Sequence, residues 1–403
     1  MSCPELVRIR CNHRAAAWIL CAGLLVSLAC SGAQAQEASA HPEVWLVTYG
    51  PGEIYWQRFG HNGIWIRDSS LGLDHVFNFG FFDFAQEGFL WRFLQGRLLY
   101  FSAAQPAQQE FAQYINENRS IRAQRLALTE QQALSLTDYL VNEVQLENRE
   151  YLYDYYRNNC STRVRDALDM ALGYAIQSDF GKIAAGQNLR DHTRRLTVAD
   201  YWLYLGLELG LGSPVDQPIS RWDEFFIPAE LASGVAQMTV RQGQDTSPLV
   251  LEDAVLYASS LQPPPGQTDQ WWPRYFALAA LVLMLAFLLS RFTPWLQPLT
   301  MARLWLFISG LMGLAILYLW FLTDHDAARN NLNLALFNPL WLLCWAGRRF
   351  YLVTACLLVA LGAVAVLLAL LTTLQYTADV IAAFFPINLA AAWVLLRAGA
   401  RDI

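Results

Sequence analysis

The chain has 403 residues, a formal net charge of -6 and 55% hydrophobic residues. That length allows two or three domains, and the apolar share points to a part that is not water-soluble. The mild acidic balance and the absence of a basic stripe exclude a nucleic-acid-binding surface.

The N-terminus reads as a secretory signal over residues 1–35. Arg8, Arg10 and Arg14 precede the apolar "AAAWILCAGLLVSLAC", and "SGAQAQ" offers an Ala33-x-Ala35 cleavage site before Gln36. An uncleaved anchor is the alternative. A lipobox ending at Cys30 is disfavoured, because Ser27 stands where such boxes carry Leu.

Residues 36–268 form the expected exported domain. In "RFGHNGIWIRD", Gly60 and Gly63 flank His61, after which Ile64 and Ile66 alternate with Trp65 and Arg67. The pattern predicts a loop feeding a strand. "LDHVFNFGFFDF" predicts the next strand, with Asn78 on the face opposite Phe77 and Phe79. His75 there is a candidate base or a strand-edge residue. "EGFLWRFLQGRLLYFSAAQ" is strongly apolar with Arg92 and Arg97 interspersed. It reads either as an interfacial surface or as an ordinary core helix. "QPAQQEFAQYINENRSI" and the segment after it read as surface helices, the second starting on a Thr129-x-x-Gln132 capping box.

Of the seven cysteines, Cys3, Cys11, Cys21 and Cys30 lie in the signal region, and Cys344 and Cys356 in apolar spans. Cys160 alone remains in the exported domain. A lone thiol in a disulfide-forming compartment is a buried inert residue, a cross-chain partner or a reactive group. Behind it Val164, Ala167, Leu168, Ala171 and Leu172 have helical spacing, and Asn158 or Asn159 can supply the N-cap. Cys160 then sits at a helix start, where free N–H groups favour a thiolate and can hold an oxyanion. A thiol nucleophile also needs a base. His41 and His192 lie in polar surroundings and read as solvated, which leaves His61 and His75. Asn78 is the first candidate to orient the imidazole, with Asp83 and His75 also on that segment.

After the linker "LQPPPGQTDQ" the composition turns apolar. Five spanning segments are expected over residues 269–403, the third interrupted by Pro339. Arg291 with Arg303, Arg348 with Arg349, and Arg397 with Arg401 fall on one side if all five cross; a re-entrant third segment would violate that bias. Between the second and third segments, Asp324, His325, Asp326, Asn331, Asn333 and Asn338 place polarity at the membrane on the Cys160 side. A headgroup- or acceptor-binding loop is one reading, and a solvated loop with helix caps the other. Consecutive Asp324, His325 and Asp326 are too few ligands for a metal.

"FGHNGIWIRD", "FNFGFFDF", "YRNNCSTRVRDAL" and "TDHDAARNNLNLALFNPLWL", in that order, resemble the Lnb family, associated with lipoprotein N-acylation in bacteria. The early-strand histidine and later helix-start cysteine also resemble circularly permuted papain-like enzymes. The resemblance implies an α+β papain-like exported domain followed by an all-α bundle of five transmembrane helices. It implies a Cys160 nucleophile and a His61 base, with no cofactor and no metal, seated in the bacterial inner membrane with the catalytic domain in the periplasm. Membrane phospholipid is the implied acyl donor and a diacylated lipoprotein the acceptor. With Asn78 as third catalytic candidate, the expected substrate contacts are Asn159, Ser161, Arg67, His325, Asn331 and Asn338. The rival readings are a cell-wall cysteine peptidase or amidase and a non-enzymatic membrane assembly factor.

Overall fold

The computed structural model describes residues 41–242, 245–293 and 296–400. The expected signal segment lies outside the described residues. Strands β1 (Glu43–Tyr49), β2 (His61–Asp68) and β3 (Leu73–Phe82) form an antiparallel meander whose register sets Thr48 opposite Asn62 and Gly63 opposite Asn78. Helix α1 (Phe89–Gln95) leads into β4 (Leu99–Pro106), which pairs with β3. Helix α2 (Ala107–Asn116) then crosses to β5 (Ile121–Leu126) on the far side of β1. Helix α3 (Glu130–Glu143) starts on the Thr129/Gln132 capping box, as its sequence predicts. After β6 (Glu150–Leu152) comes α4 (Cys160–Ala171).

Helices α5 (Ala175–Phe180), α6 (Leu189–Thr197), α7 (Tyr201–Gly210), α8 (Arg221–Glu224) and α9 (Pro228–Gln237) follow. A small hairpin, β7 (Thr239–Gln242) and β8 (Asp245–Pro248), precedes β9 (Val250–Tyr257), the last strand. The seven-stranded sheet runs β6-β4-β3-β2-β1-β5-β9. Helix α4 packs on β2 and β3: Val164 and Leu168 join Leu46, Ile64, Ile66, Phe77 and Phe79 in one core. Each such buried side chain contributes roughly 1.5–3 kcal/mol, which anchors the Cys160 end of the helix to the sheet. One strand irregularity serves that approach. Between Asn78 and Phe81 the β3/β4 register shifts, and Gly80 there has φ +99°, with an added Cβ only 3.2 Å from the Cβ of Cys160.

Among the described residues, four helices are long and apolar enough to cross a membrane: α10 (Trp272–Phe292), α11 (Pro298–Leu322), α12 (Tyr351–Leu371, preceded by a short turn) and α13 (Ala378–Gly399). The third expected span differs. It consists of two 3-10 stretches, Leu332–Ala335 and Pro339–Trp345. Asn331 and Asn338 each cap one stretch with their side-chain oxygens, and Pro339 withholds an N–H, so no continuous α-helix forms. The stretch runs back along α11. The carbonyl of Phe337 fits against Gly313, where a Cβ would come within 2.4 Å, and Trp345 Nε1 donates to the Arg303 carbonyl at 3.1 Å.

The sheet domain and the apolar helices pack as one unit. The amides of Asn331 and Asn333 donate to the last carbonyls of α7, those of Glu208, Leu209 and Gly210. Arg194 reaches Asp379 of α13 at 3.3 Å, and Tyr204 donates to the same carboxylate at 2.6 Å. His192 is therefore not solvated. It is 1% exposed, with Nε2 2.9 Å from Glu224 and Nδ1 accepting from Arg195, because the polar-looking α6 faces a buried ionic layer. A second clasp holds α1: Asp324 N–H donates to the Gln95 carbonyl, Arg97 pairs with Asp324 at 2.6 Å, and His325 Nε2 donates to the Phe93 carbonyl. Helix α1 buries none of its residues, which rules out the core-helix reading of that segment.

Candidate active site

His61 opens β2, and its Nε2 lies 3.0 Å from Asn78 Oδ1 on the neighbouring strand. The Asn78 amide is itself fixed. Its Nδ2 donates to the Val76 carbonyl at 3.2 Å and to Glu110 Oε2 at 2.6 Å, while Tyr49 donates to the other Glu110 oxygen. With the NH₂ group committed to those acceptors, Oδ1 is left to receive a proton from His61. The network thus assigns the hydrogen to Nε2 and leaves the lone pair on Nδ1. Tyr49 stacks on His61 with centroids 5.9 Å apart, and Tyr114 stacks on Tyr49. The Arg119 guanidinium lies 4.6 Å from the Tyr114 ring centroid.

Cys160 is the first residue of α4. Its N-cap is Asn159, whose Oδ1 accepts from Thr162 N–H while Thr162 reciprocates to Asn159 N–H. Three backbone N–H groups are directed at the sulfur: those of Asn62, Ser161 and Cys160 itself. Because Asn62 directly follows His61, the thiol lies against the peptide that joins them. Five tyrosines, Tyr100, Tyr114, Tyr151, Tyr153 and Tyr155, are within electrostatic range of the sulfur.

Burial governs the charge state of the pair. It pushes the Cys160 thiol up to about 11, against the opposing pull of the three N–H groups and Arg119. It pushes the His61 imidazole down to about 4; the Asn78 hydrogen bond opposes this and Arg119 adds to it. The resting pair is therefore neutral thiol and neutral imidazole, not the thiolate that a helix start by itself favours. Burial also raises Glu110 to about 7.

The other expected site residues are placed differently. The Asn159 amide donates to the carbonyls of Tyr155 and Phe226, so no N–H of it is left for an oxyanion. Ser161 is fully buried, its hydroxyl placed on Asn62 Oδ1 and the Phe225 carbonyl. Arg67 lies at the opposite end of β2 from His61, paired with Glu43 at 3.4 Å. His325 holds α1, Asn331 caps α7, and Asn338 caps a 3-10 turn with its amide on the Leu334 carbonyl. Their polar groups engage partners within the fold, in docking and capping. Of the whole expected set, His61 and Asn78 meet through a hydrogen bond, and Cys160 lies against the N–H of Asn62, the residue after His61.

Sequence reasoning missed Glu110, Tyr49, Arg119 and the tyrosine cluster. Glu110 had a detectable signal. Ala107, Glu110, Phe111 and Tyr114 have the spacing of one helix face, so an acid interrupts an otherwise apolar stripe. Among the described residues no group of three or more His, Cys, Asp or Glu is placed to hold a metal ion.

A mixed α/β domain carrying a Cys–His–Asn constellation, continuous with apolar helices of spanning length, defines a membrane protein with an exported, enzyme-like part. Residues 33–191 match the model of the Lnb N-terminal periplasmic domain, and residues 266–400 match that of the Lnb transmembrane domain. The chain belongs to the Lnb family, and its sheet domain is periplasmic. No curated protein and no solved structure matches it.

Proposed function

We propose that this protein is a lipoprotein N-acyltransferase of the bacterial inner membrane. It moves an acyl chain from a membrane phospholipid, through a thioester on Cys160, to the N-terminal diacylglyceryl-cysteine of a lipoprotein. The observation that carries this reading is the hydrogen-bonded series His61, Asn78 and Glu110 near a helix-start Cys160, in a domain clasped to membrane helices.

In the first half-reaction His61 Nδ1 takes the thiol proton as the sulfur attacks the ester carbonyl carbon. The carbonyl electron pair moves to oxygen, and the N–H groups of Asn62, Cys160 and Ser161 supply the nearby donors. The carbon–oxygen bond breaks, His61 returns its proton to the leaving alkoxide, and lysophospholipid departs. In the second half-reaction the lipoprotein amine attacks the thioester and its proton passes to His61. The carbon–sulfur bond breaks and the thiolate is reprotonated. A neutral resting pair suits this order, since charge appears only as the bond forms. Placement against the bilayer limits hydrolysis of the thioester.

The helix-start cysteine packed on an antiparallel sheet, with the base on an earlier strand, supports a permuted papain-like ancestry. The capped 3-10 stretch lying along α11 supports a fifth crossing made without an α-helix: such turns rise about 2.0 Å per residue, so fewer residues cover the distance. Arg348 and Arg349 then fall beside Arg303, in keeping with the positive-inside rule. A wall-peptide hydrolase would use the same catalytic pair but give no role to exposed α1 or its clasp.

The test is a two-substrate assay. Purified protein in phosphatidylethanolamine vesicles, given a synthetic diacylated lipopeptide, should add one acyl chain to the peptide amine and release lysophospholipid. Cys160→Ala should abolish both products; transfer by that variant, or cleavage of wall peptides by the wild type without lipopeptide acylation, would overturn the proposal.

A further inference from the structure

We propose that a fatty acyl chain of the bilayer lipid reaches Cys160 along an aromatic track that starts on a membrane-dipping patch of the exported domain. This rests on the reading of Cys160 as an acyl carrier. The patch is formed by Trp56, Phe84, Leu90, Trp91 and Phe93, each more than half exposed. Contiguous exposed aromatics of this kind are uncommon on a water-facing surface and mark a binding or membrane-contacting face.

Two observations name the occupant. The first is height. The α1 helix that carries Leu90, Trp91 and Phe93 is held by Asp324 and His325, which lie two and three residues beyond Leu322, the last residue of α11. Phe321 and Leu322 are themselves about two-thirds exposed. The α1 part of the patch therefore sits where a spanning helix leaves the bilayer, and Phe84 packs on Phe89 of α1 with Trp56 beside it.

The second observation is continuity. Trp56 and Phe84 both pack against Phe82, with centroids 6.1 and 4.8 Å apart. Phe82 meets Tyr100 across the β3/β4 pair at 5.2 Å, and Tyr100 stacks on Tyr153 at 3.9 Å. Tyr100 and Tyr153 lie in electrostatic range of the Cys160 sulfur, and Gly80, two residues before Phe82, faces the Cys160 side chain so closely that a Cβ there would come within 3.2 Å of it. Ring contacts thus run from Trp56 and Phe84 to Tyr153, on the strand that carries Gly80 toward Cys160 and on its neighbours. A chain laid on them keeps its methylenes out of water while the ester carbonyl arrives at the sulfur. The track selects a long-chain acyl donor rather than a short polar acyl group.

The test uses full-length Cys160→Ala protein in phosphatidylethanolamine–phosphatidylglycerol vesicles doped with a phosphatidylethanolamine carrying a diazirine at one acyl terminus. After irradiation, peptide mapping should find adducts on Trp56, Phe82, Phe84, Tyr100 or Tyr153. The surface double variant Trp56→Ser/Phe84→Ser should cut adducts at Tyr100 and Tyr153 by roughly fivefold or more, as expected from losing two ring contacts. Adducts confined to α10–α13 would overturn the track. The readout needs no thioester, so the two proposals fail separately. Track adducts in a protein that never acylates Cys160 would uphold the lipid site and reject the transfer mechanism. Acylated wild-type Cys160 with no track adducts would do the reverse.

Discussion

Glu110 accepts a 2.6 Å hydrogen bond from the Asn78 amide, and that contact determines which atom of Asn78 faces His61. The oxygen side is presented to Nε2, so the imidazole keeps its free lone pair on Nδ1. In the proposed mechanism Asn78 and Glu110 act through His61, as positioning residues. Replacing Asn78 with Ala should lower kcat by about 10- to 100-fold with little change in lipid KM, since a misoriented base loses much of the contribution of general-base catalysis. Glu110→Gln should give a smaller loss. Single-turnover thioester formation measures the effect, and an unchanged rate in Asn78→Ala would reject the orienting role.

The neutral resting pair has a chemical signature. With the thiol raised to about 11, iodoacetamide should label Cys160 slowly at pH 7, and the rate should climb through about pH 11. An alkylation midpoint below the ordinary thiol range would mean a resting thiolate–imidazolium pair instead.

The pH dependence of stability carries two opposed slopes. His61 titrates at about 4 in the fold against 6.5 in the unfolded chain, so the unfolded chain takes the proton first. Stability contributed by the buried neutral ring is therefore lost as pH falls from about 6.5 to about 4, an effect on the order of 1–3 kcal/mol. Glu110 is raised to about 7 from 4.5, so the fold holds the proton longer; its contribution is full below 4.5 and declines as pH rises through 7. Melting temperatures from pH 4 to 8 should show the alkaline decline flatten in Glu110→Gln. Identical profiles for variant and wild type would contradict this assignment.

Docking of the two parts should be separable from chemistry. Asn333→Ala leaves the Glu208 carbonyl without its amide donor and should cost about 1–3 kcal/mol. Arg194→Ala strands the Asp379 carboxylate in a buried setting and should cost about 3–5 kcal/mol. In detergent both should lower the melting temperature while leaving lipid KM unchanged for the folded fraction. A rise in KM at full stability would return the loop to a substrate-binding role.

The parts of the site that could be read from sequence are those set by local rules. The alternation of Ile64 and Ile66 with Trp65 and Arg67 set the face of β2, and the Asn158–Asn159 pair marked the start of the Cys160 helix, with Asn159 the cap in the fold. Asn78 followed from strand alternation opposite Phe77 and Phe79, and it faces His61 as expected. What escaped depends on partners distant in the chain. His192 reads as solvated in its polar stretch, yet it pairs with Glu224, and Arg194 of the same helix pairs with Asp379, 185 residues away. The polarity of Asn331 and Asn338 suggested ligand binding, whereas those amides satisfy backbone carbonyls inside the fold. The charge state of the thiol likewise depends on the tertiary setting: three helix-start and strand N–H groups act on the sulfur, and burial opposes them.

The central claim is that Cys160 carries an acyl chain, and intact-mass analysis after incubation with phospholipid vesicles tests it most directly. The wild type should gain one fatty-acyl mass that maps to Cys160 and is removed by neutral hydroxylamine. His61→Ala should lose the adduct, while Cys160→Ser either shows none or holds an ester that resists hydroxylamine. A wild-type protein that gains no acyl mass from any membrane lipid, or gains it equally without His61, would contradict the account.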